Sequence, residues 1–167
     1  MEVYVWVFPV LFIFHDMEEI VGFIPWYHNN QQMLEQKYPQ IYNAYKNTST
    51  EGFAFAVYEE LIFCIAVCII SLIMNRYGMW LGTLVACTLH FVIHIIQTLI
   101  IKQYIPALIT SIIGVPIGCY IICKSIKLLN YPALSVVIYS VTGITLILIN
   151  LRFAHMLMKK FTMWQSK

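Results

Sequence analysis

Five apolar stretches, at roughly 3 to 25, 53 to 75, 79 to 101, 105 to 123 and 132 to 156, constrain this chain more than anything else in it. Each matches the roughly 20 residues that a helix needs to cross the hydrocarbon core of a bilayer. Lipid offers the backbone no hydrogen-bond partner, so only helices or a closed barrel can cross it, and none of the stretches alternates as a barrel strand must. The predicted fold is therefore all-α: a polytopic membrane helix bundle of about five transmembrane helices, forming a single transmembrane domain over residues 1–167. With 60% hydrophobic and only 11% charged residues, the chain lies outside the composition of soluble domains. A net charge of +2, dispersed along the chain, leaves no footprint for nucleic acid.

The breaks between stretches carry suitable chemistry. Pro25 follows Ile24, Asn75-Arg76-Tyr77-Gly78 reads as a tight polar turn, Pro106 opens the fourth segment near its first turn, and Asn130-Tyr131-Pro132 separates the last two. The amino-terminal run has no basic region and no small-residue cleavage site, and it is too long for a signal core, so it is expected to be a retained first helix. Between the first two spans lies the only long polar stretch. Met33, Leu34, Ile41, Tyr42 and Tyr45 give it an intermittent apolar face that Pro39 interrupts, as in a short interfacial element. Cys64, Cys68, Cys87, Cys119 and Cys123 all fall in apolar runs without a CxxC pair, so they read as packing residues. Gly114 and Gly118 form a GxxxG pair in the fourth span that would permit a close helix contact.

Lys and Arg set the expected orientation. Arg76, Lys124 and Lys127 fall on the side of the amino terminus, whereas Lys37, Lys46, Lys102, Arg152, Lys159, Lys160 and Lys167 fall on the other. Cationic residues collect in cytoplasmic loops. The expected topology is an integral, multi-pass protein with its amino terminus outside and its carboxyl terminus cytoplasmic.

Ionisable residues inside these spans are the functional signal. His15, Glu18 and Glu19 lie in the first, Glu59 and Glu60 in the second, and His90 and His94 in the third. A charge at the centre of the bilayer costs at least about 2.5–3.5 kcal/mol, so such groups persist by pairing, protonating or binding a cation. At about 1.5 Å of rise per residue, Glu18, Glu19, Glu59 and Glu60 lie about 10 Å from the cytoplasmic ends of their helices and His94 about 12 Å, with His15 and His90 one turn deeper. Helical spacing places Glu18 and Glu19 on either side of His15, while His90 and His94 are one turn apart on one face. Asp16 points away from the His15 face and is at most a supporting residue.

Imidazole and carboxylate ligands without thiolate suit zinc, iron or manganese. The spacing His90-x-x-x-His94 is also that by which helical metalloproteases offer two imidazoles to zinc, although the Glu following their first His is here Phe91. The expected metal ligands are His15, Glu19, Glu59, His90 and His94, with Glu18, Glu19 and Glu60 as catalytic carboxylates. The cofactor is a divalent metal, with zinc favoured over iron or manganese.

These residues, with His15-Asp16-Met17-Glu18-Glu19 at their centre, resemble the HXXEE-motif family of polytopic membrane proteins. The resemblance extends through the third-span His to an aromatic-x-Pro segment, Tyr104-Ile105-Pro106-Ala107, followed by Thr110 and Ser111, and so covers roughly residues 10 to 120. The family pattern has Gly after that Pro, where Ala107 stands. The family's function is unassigned, so the resemblance implies a shared site without naming a reaction.

Three functions are compatible with the site. The favoured one is a metal-dependent intramembrane hydrolase that acts on a lipid or a membrane-embedded peptide, with metal-bound water as nucleophile and a Glu as base. A metal-free variant is similar to the CAAX-type glutamyl proteases, but their EExxxR pattern is missing, because no Arg follows Glu59-Glu60. A di-iron or di-manganese redox enzyme would reuse the same carboxylates, although the usual Glu-x-x-His repeat is absent. A proton or ion carrier would need a relay across the membrane, whereas the fourth and fifth spans offer only groups such as Thr110, Ser111 and Asn150.

Overall fold

The computed structural model describes residues 1–166, which form seven helices: α1 (Glu2–Asn29), α2 (Gln31–Lys37), α3 (Pro39–Tyr45), α4 (Thr50–Ile73), α5 (Gly78–Ile101), α6 (Leu108–Leu129) and α7 (Ala133–Gln165). No strand occurs among the described residues. Four of the helices, α4 to α7, are long and apolar enough to cross a membrane, and the chain is a multi-pass membrane protein. α1 has 28 residues and packs within the same bundle, against α4, α6 and α5. Its composition sets it apart, because every 18-residue stretch of it includes Asp16, Glu18 and Glu19.

Several boundaries differ from the expected ones. Pro25 does not end α1, which continues to Asn29 because Ile24 and Tyr27 are buried and the Tyr27 hydroxyl donates to the Tyr42 carbonyl at 3.0 Å. The fourth span begins at Leu108 rather than 105 and runs on to Leu129; Ala107 takes a left-handed conformation (φ 95°) and Pro106 lies outside the helix. The last helix reaches Gln165 instead of 156. Its polar end is held by Phe161 stacking on Phe55 at 4.7 Å and by Thr162 lying 3.3 Å from the Ser49 amide.

The polar segment between α1 and α4 folds as the short helices α2 and α3, broken at Tyr38 next to Pro39. Leu34 is fully buried there, and the Ser49 hydroxyl caps α4 by accepting from the Gly52 amide at 3.0 Å.

Helix packing depends on small residues. Gly114 and Gly118 of α6 do meet α5, and a methyl group on either would press into Phe91 or Thr88. A second close approach lies at the Gly78-x-x-x-Gly82 spacing of α5, which meets Tyr139 and Gly143 of α7. Gly82 of α5 and Gly143 of α7 bring their backbones together, so that a side chain on either would collide with the main chain of the other helix.

The interior has three layers. One apolar cluster includes Val5, Phe8, Cys64, Cys68, Trp80 and Leu84. A second includes Phe23, Ile24, Phe53, Val57, Ala154 and Met158. Between them in sequence on α1 and α4 fall His15, Asp16, Glu19 and Glu60, and on α5 His90 and His94 flank Phe91 of the first cluster. The polar residues thus occupy a layer closed on either side by apolar packing.

Candidate metal centre

The layer is assembled from one face of α1 and one of α5. His15 and Glu19 are one turn apart on α1, as are His90 and His94 on α5, so both pairs project toward the helix interface. One ligand atom from each of these four residues lies within 4.8 Å of the other three. The Nε2 atoms of His90 and His94 are 2.9 Å apart, and His94 Nε2 is 3.2 Å from Glu19 Oε1. The His15 ring sits 5.0 Å from that of His94 and 5.4 Å from that of His90, centroid to centroid, and packs on Phe91 at 4.5 Å.

Burial makes this convergence informative. His15 is 1% exposed, Glu19 7% and His94 8%. Yet His15 Nε2 and His94 Nδ1 have no hydrogen-bond partner among the described residues. Leaving a buried polar atom unpaired costs about 1–3 kcal/mol. An acceptor nitrogen without a donor, beside two further imidazoles and a carboxylate, is what a cation would satisfy. The donor set of three nitrogens and one oxygen fits zinc, with iron and manganese also served.

α6 holds the other edge of His15. His15 Nδ1 lies 3.1 Å from Thr110 Oγ1 and 3.5 Å from Ser111 Oγ. Glu18, expected to be catalytic, is turned to the start of α6 and away from the four-residue group. Its carboxylate accepts from the Thr110 hydroxyl at 2.7 Å, the Thr110 amide at 2.9 Å, the Ile109 amide at 3.4 Å and the Tyr104 hydroxyl at 2.5 Å. Ala107, the residue preceding α6, has no side chain able to cap the helix, and Glu18 supplies from α1 the negative group that a helix amino terminus favours. Tyr104 lies outside the helices, and its phenol is pushed up to about 12, first by burial and then by the Glu18 carboxylate that it bonds.

The two carboxylates of α4 part company. Glu59, expected as a ligand, lies outside the group and accepts from the Asn150 amide of α7 at 3.3 Å. Glu60 lines a cavity of about 280 Å³ together with Asp16, Glu19, His90 and His94. Asp16 is the residue that spacing on α1 alone misjudged. It is 3% exposed, with Oδ2 unpartnered among the described residues, and it faces the cavity instead of pointing away from the site. Ile93, half exposed on α5, also lines the cavity.

A family model described as a protein of unknown function with HXXEE motif matches residues 6–121, about two thirds of the chain. The chain belongs to the HXXEE family. No curated protein and no solved structure matches it at a significant level. The matched span contains His15, Asp16, Glu18, Glu19, Glu60, His90, His94 and Thr110 and ends within α6, while α7, which adds Leu151, Ala154, His155 and Met158 to the cavity wall, lies beyond it.

Proposed function

We propose that this HXXEE protein is a metal-dependent intramembrane hydrolase acting on a lipid or a membrane-embedded peptide. The observation that carries the reading is the convergence of His15, Glu19, His90 and His94, with ligand atoms within 4.8 Å of one another in a buried layer. A divalent ion, zinc before iron or manganese, would take these ligands and acidify a bound water. Glu60, across the same cavity, is the base: it takes the proton as the water adds to an ester or amide carbonyl, and returns it to the leaving group. Half-exposed Ile93 in the cavity lining supports a substrate that arrives from the bilayer. With seven of the ten cationic residues on the side of the long polar segment, we place that segment and the carboxyl terminus in the cytoplasm.

Cobalt(II) titration of purified, metal-free protein tests the reading. Tetrahedral d–d bands that saturate near one equivalent and vanish in His94→Ala support it; their absence from folded wild-type protein removes it.

One observation favours a second reading. Asp16 and Glu60 put two more carboxylates into the cavity that Glu19 lines, enough for a second ion that shares Glu19. A di-iron or di-manganese redox enzyme would then bind two metal ions per chain, with a visible charge-transfer band.

A further inference from the structure

The first Glu of the motif is tied to its His by a path that runs through another helix. Thr110 has one hydroxyl proton and three acceptors within reach: Glu18 Oε2 at 2.7 Å, His15 Nδ1 at 3.1 Å and the Ala107 carbonyl at 3.3 Å. The carboxylate is the closest and the only one that carries charge, and charge-assisted hydrogen bonds are the shorter and stronger ones. Every partner of Glu18 is a donor: two backbone amides, a tyrosine hydroxyl and the threonine hydroxyl itself. An ionised Glu18 therefore takes the Thr110 proton. The threonine oxygen is left only as an acceptor, so the contact with His15 forms when Nδ1 carries the ring hydrogen. Ser111 Oγ, 3.5 Å from the same nitrogen, is placed to accept in the same way.

A neutral imidazole has one ring hydrogen. With it on Nδ1, Nε2 is a bare lone pair, and this is the buried atom that has no partner among the described residues. We propose that Glu18 is a positioning residue: acting through Thr110 on α6, it fixes His15 as the Nδ1–H tautomer and so aims the Nε2 lone pair at Glu19, His90 and His94. The carboxylate–histidine–metal arrangement of many metal sites is here extended by an interposed hydroxyl.

The relay gives each polar position of His-x-x-Glu-Glu its own task. His15 and Glu19 present ligand atoms, and Glu18, three residues from His15, sets the tautomer. Capping of α6 accounts for the orientation of Glu18 toward the start of that helix, but it does not require the threonine hydroxyl that stands between Glu18 and His15. The inference rests on the proposed metal site for its purpose but not for its geometry, so the two can fail separately.

The test is 15N NMR of histidine-labelled, metal-free protein in bilayers, with the His15 signals assigned by difference from His15→Gln. Wild-type His15 is expected as the Nδ1–H tautomer. Thr110→Val and Glu18→Gln should redistribute it toward Nε2–H, whereas Thr110→Ser, which retains the hydroxyl, should match wild type. Cobalt affinity should fall about 10- to 100-fold in the first two variants and hold in Thr110→Ser. An Nε2–H tautomer in the wild type overturns the relay, and so does an unchanged tautomer in both Thr110→Val and Glu18→Gln. The expected tautomer pattern without cobalt binding by the wild type would sink the metal reading and leave the relay standing.

Discussion

His94 Nε2 lies 3.2 Å from Glu19 Oε1, joining the last residue of the HXXEE motif on α1 to the second histidine of the HxxxH pair on α5. It is the one ion-pair geometry among the described residues, and its partners lie 75 positions apart in the chain. Both are buried. Removing His94 leaves the buried Glu19 carboxylate without that partner, which costs several kcal/mol when the carboxylate is charged. Conservative replacement is therefore more informative than truncation. Glu19→Gln should retain the fold, judged by an unchanged gel-filtration profile and helical circular dichroism, while weakening cobalt binding at least about tenfold. Unchanged binding would exclude Glu19 as a ligand.

Glu60→Gln separates base from ligand. If Glu60 takes the proton from water, the variant keeps the wild-type metal content while turnover of a fluorogenic lipid ester or membrane peptide drops about 10²- to 10⁴-fold. If Glu60 helps to hold a second ion, metal content falls from two equivalents per chain to one.

Close backbone contact between α5 and α7 at Gly82 and Gly143 leaves no room for a side chain. Main-chain atoms cannot swing aside as a side-chain tip can. Gly82→Val should destabilise the protein by about 3 kcal/mol or more, the upper end of overpacking costs, and lower its thermal midpoint in detergent. Met79, on the same helix but only half buried, is the comparison: Met79→Leu conserves volume and should shift stability by less than about 1.5 kcal/mol.

Ala107 has φ 95°, a left-handed conformation that a Cβ disfavours by roughly 1–2 kcal/mol. The buried methyl group returns part of that by packing, about 0.8 kcal/mol for one carbon. Ala107→Gly should raise stability by up to about 1 kcal/mol, and Ala107→Val should lower it, measured by thermal unfolding. Equal melting of all three would contradict the strained geometry.

Tyr104 provides a pH dependence with a definite sign. Its folded-state pKa of about 12 lies above the ordinary value of 10.0, because burial and the Glu18 carboxylate both favour the protonated phenol. The stabilisation is thus complete below pH 10 and disappears as pH rises through 12. Wild-type stability should fall between those values more steeply than that of Tyr104→Phe. Parallel curves would mean that the bond to Glu18 contributes nothing.

Much of this was legible in the sequence, and the failures have identifiable causes. Apolar run length located the helices because the bilayer dictates it, and one-turn spacings found His15, Glu19, His90 and His94 because they set the face of a helix. Pro25 misled because side chains on either side of it, Ile24 and Tyr27, are buried and hold α1 together where a proline would otherwise end it. Glu18, Glu59 and Asp16 were harder, since adjacent residues on a helix diverge by about 100° and only the neighbouring helices decide which one faces the site. Thr110 was visible only as part of the family pattern; its task depends on α6 approaching α1, which no local spacing encodes. Gly82 closes a Gly78-x-x-x-Gly82 pair on α5, but nothing in the sequence marks Gly143 of α7 as its partner.

Elemental analysis of the protein purified without added metal or chelator tests the central claim most directly. The account predicts about one equivalent of a divalent metal, zinc ahead of iron and manganese, reduced to background in His15→Ala and His94→Ala samples of intact fold. Folded wild-type protein with no divalent metal, and with none taken up on exposure to zinc, iron(II) or manganese(II), would contradict it.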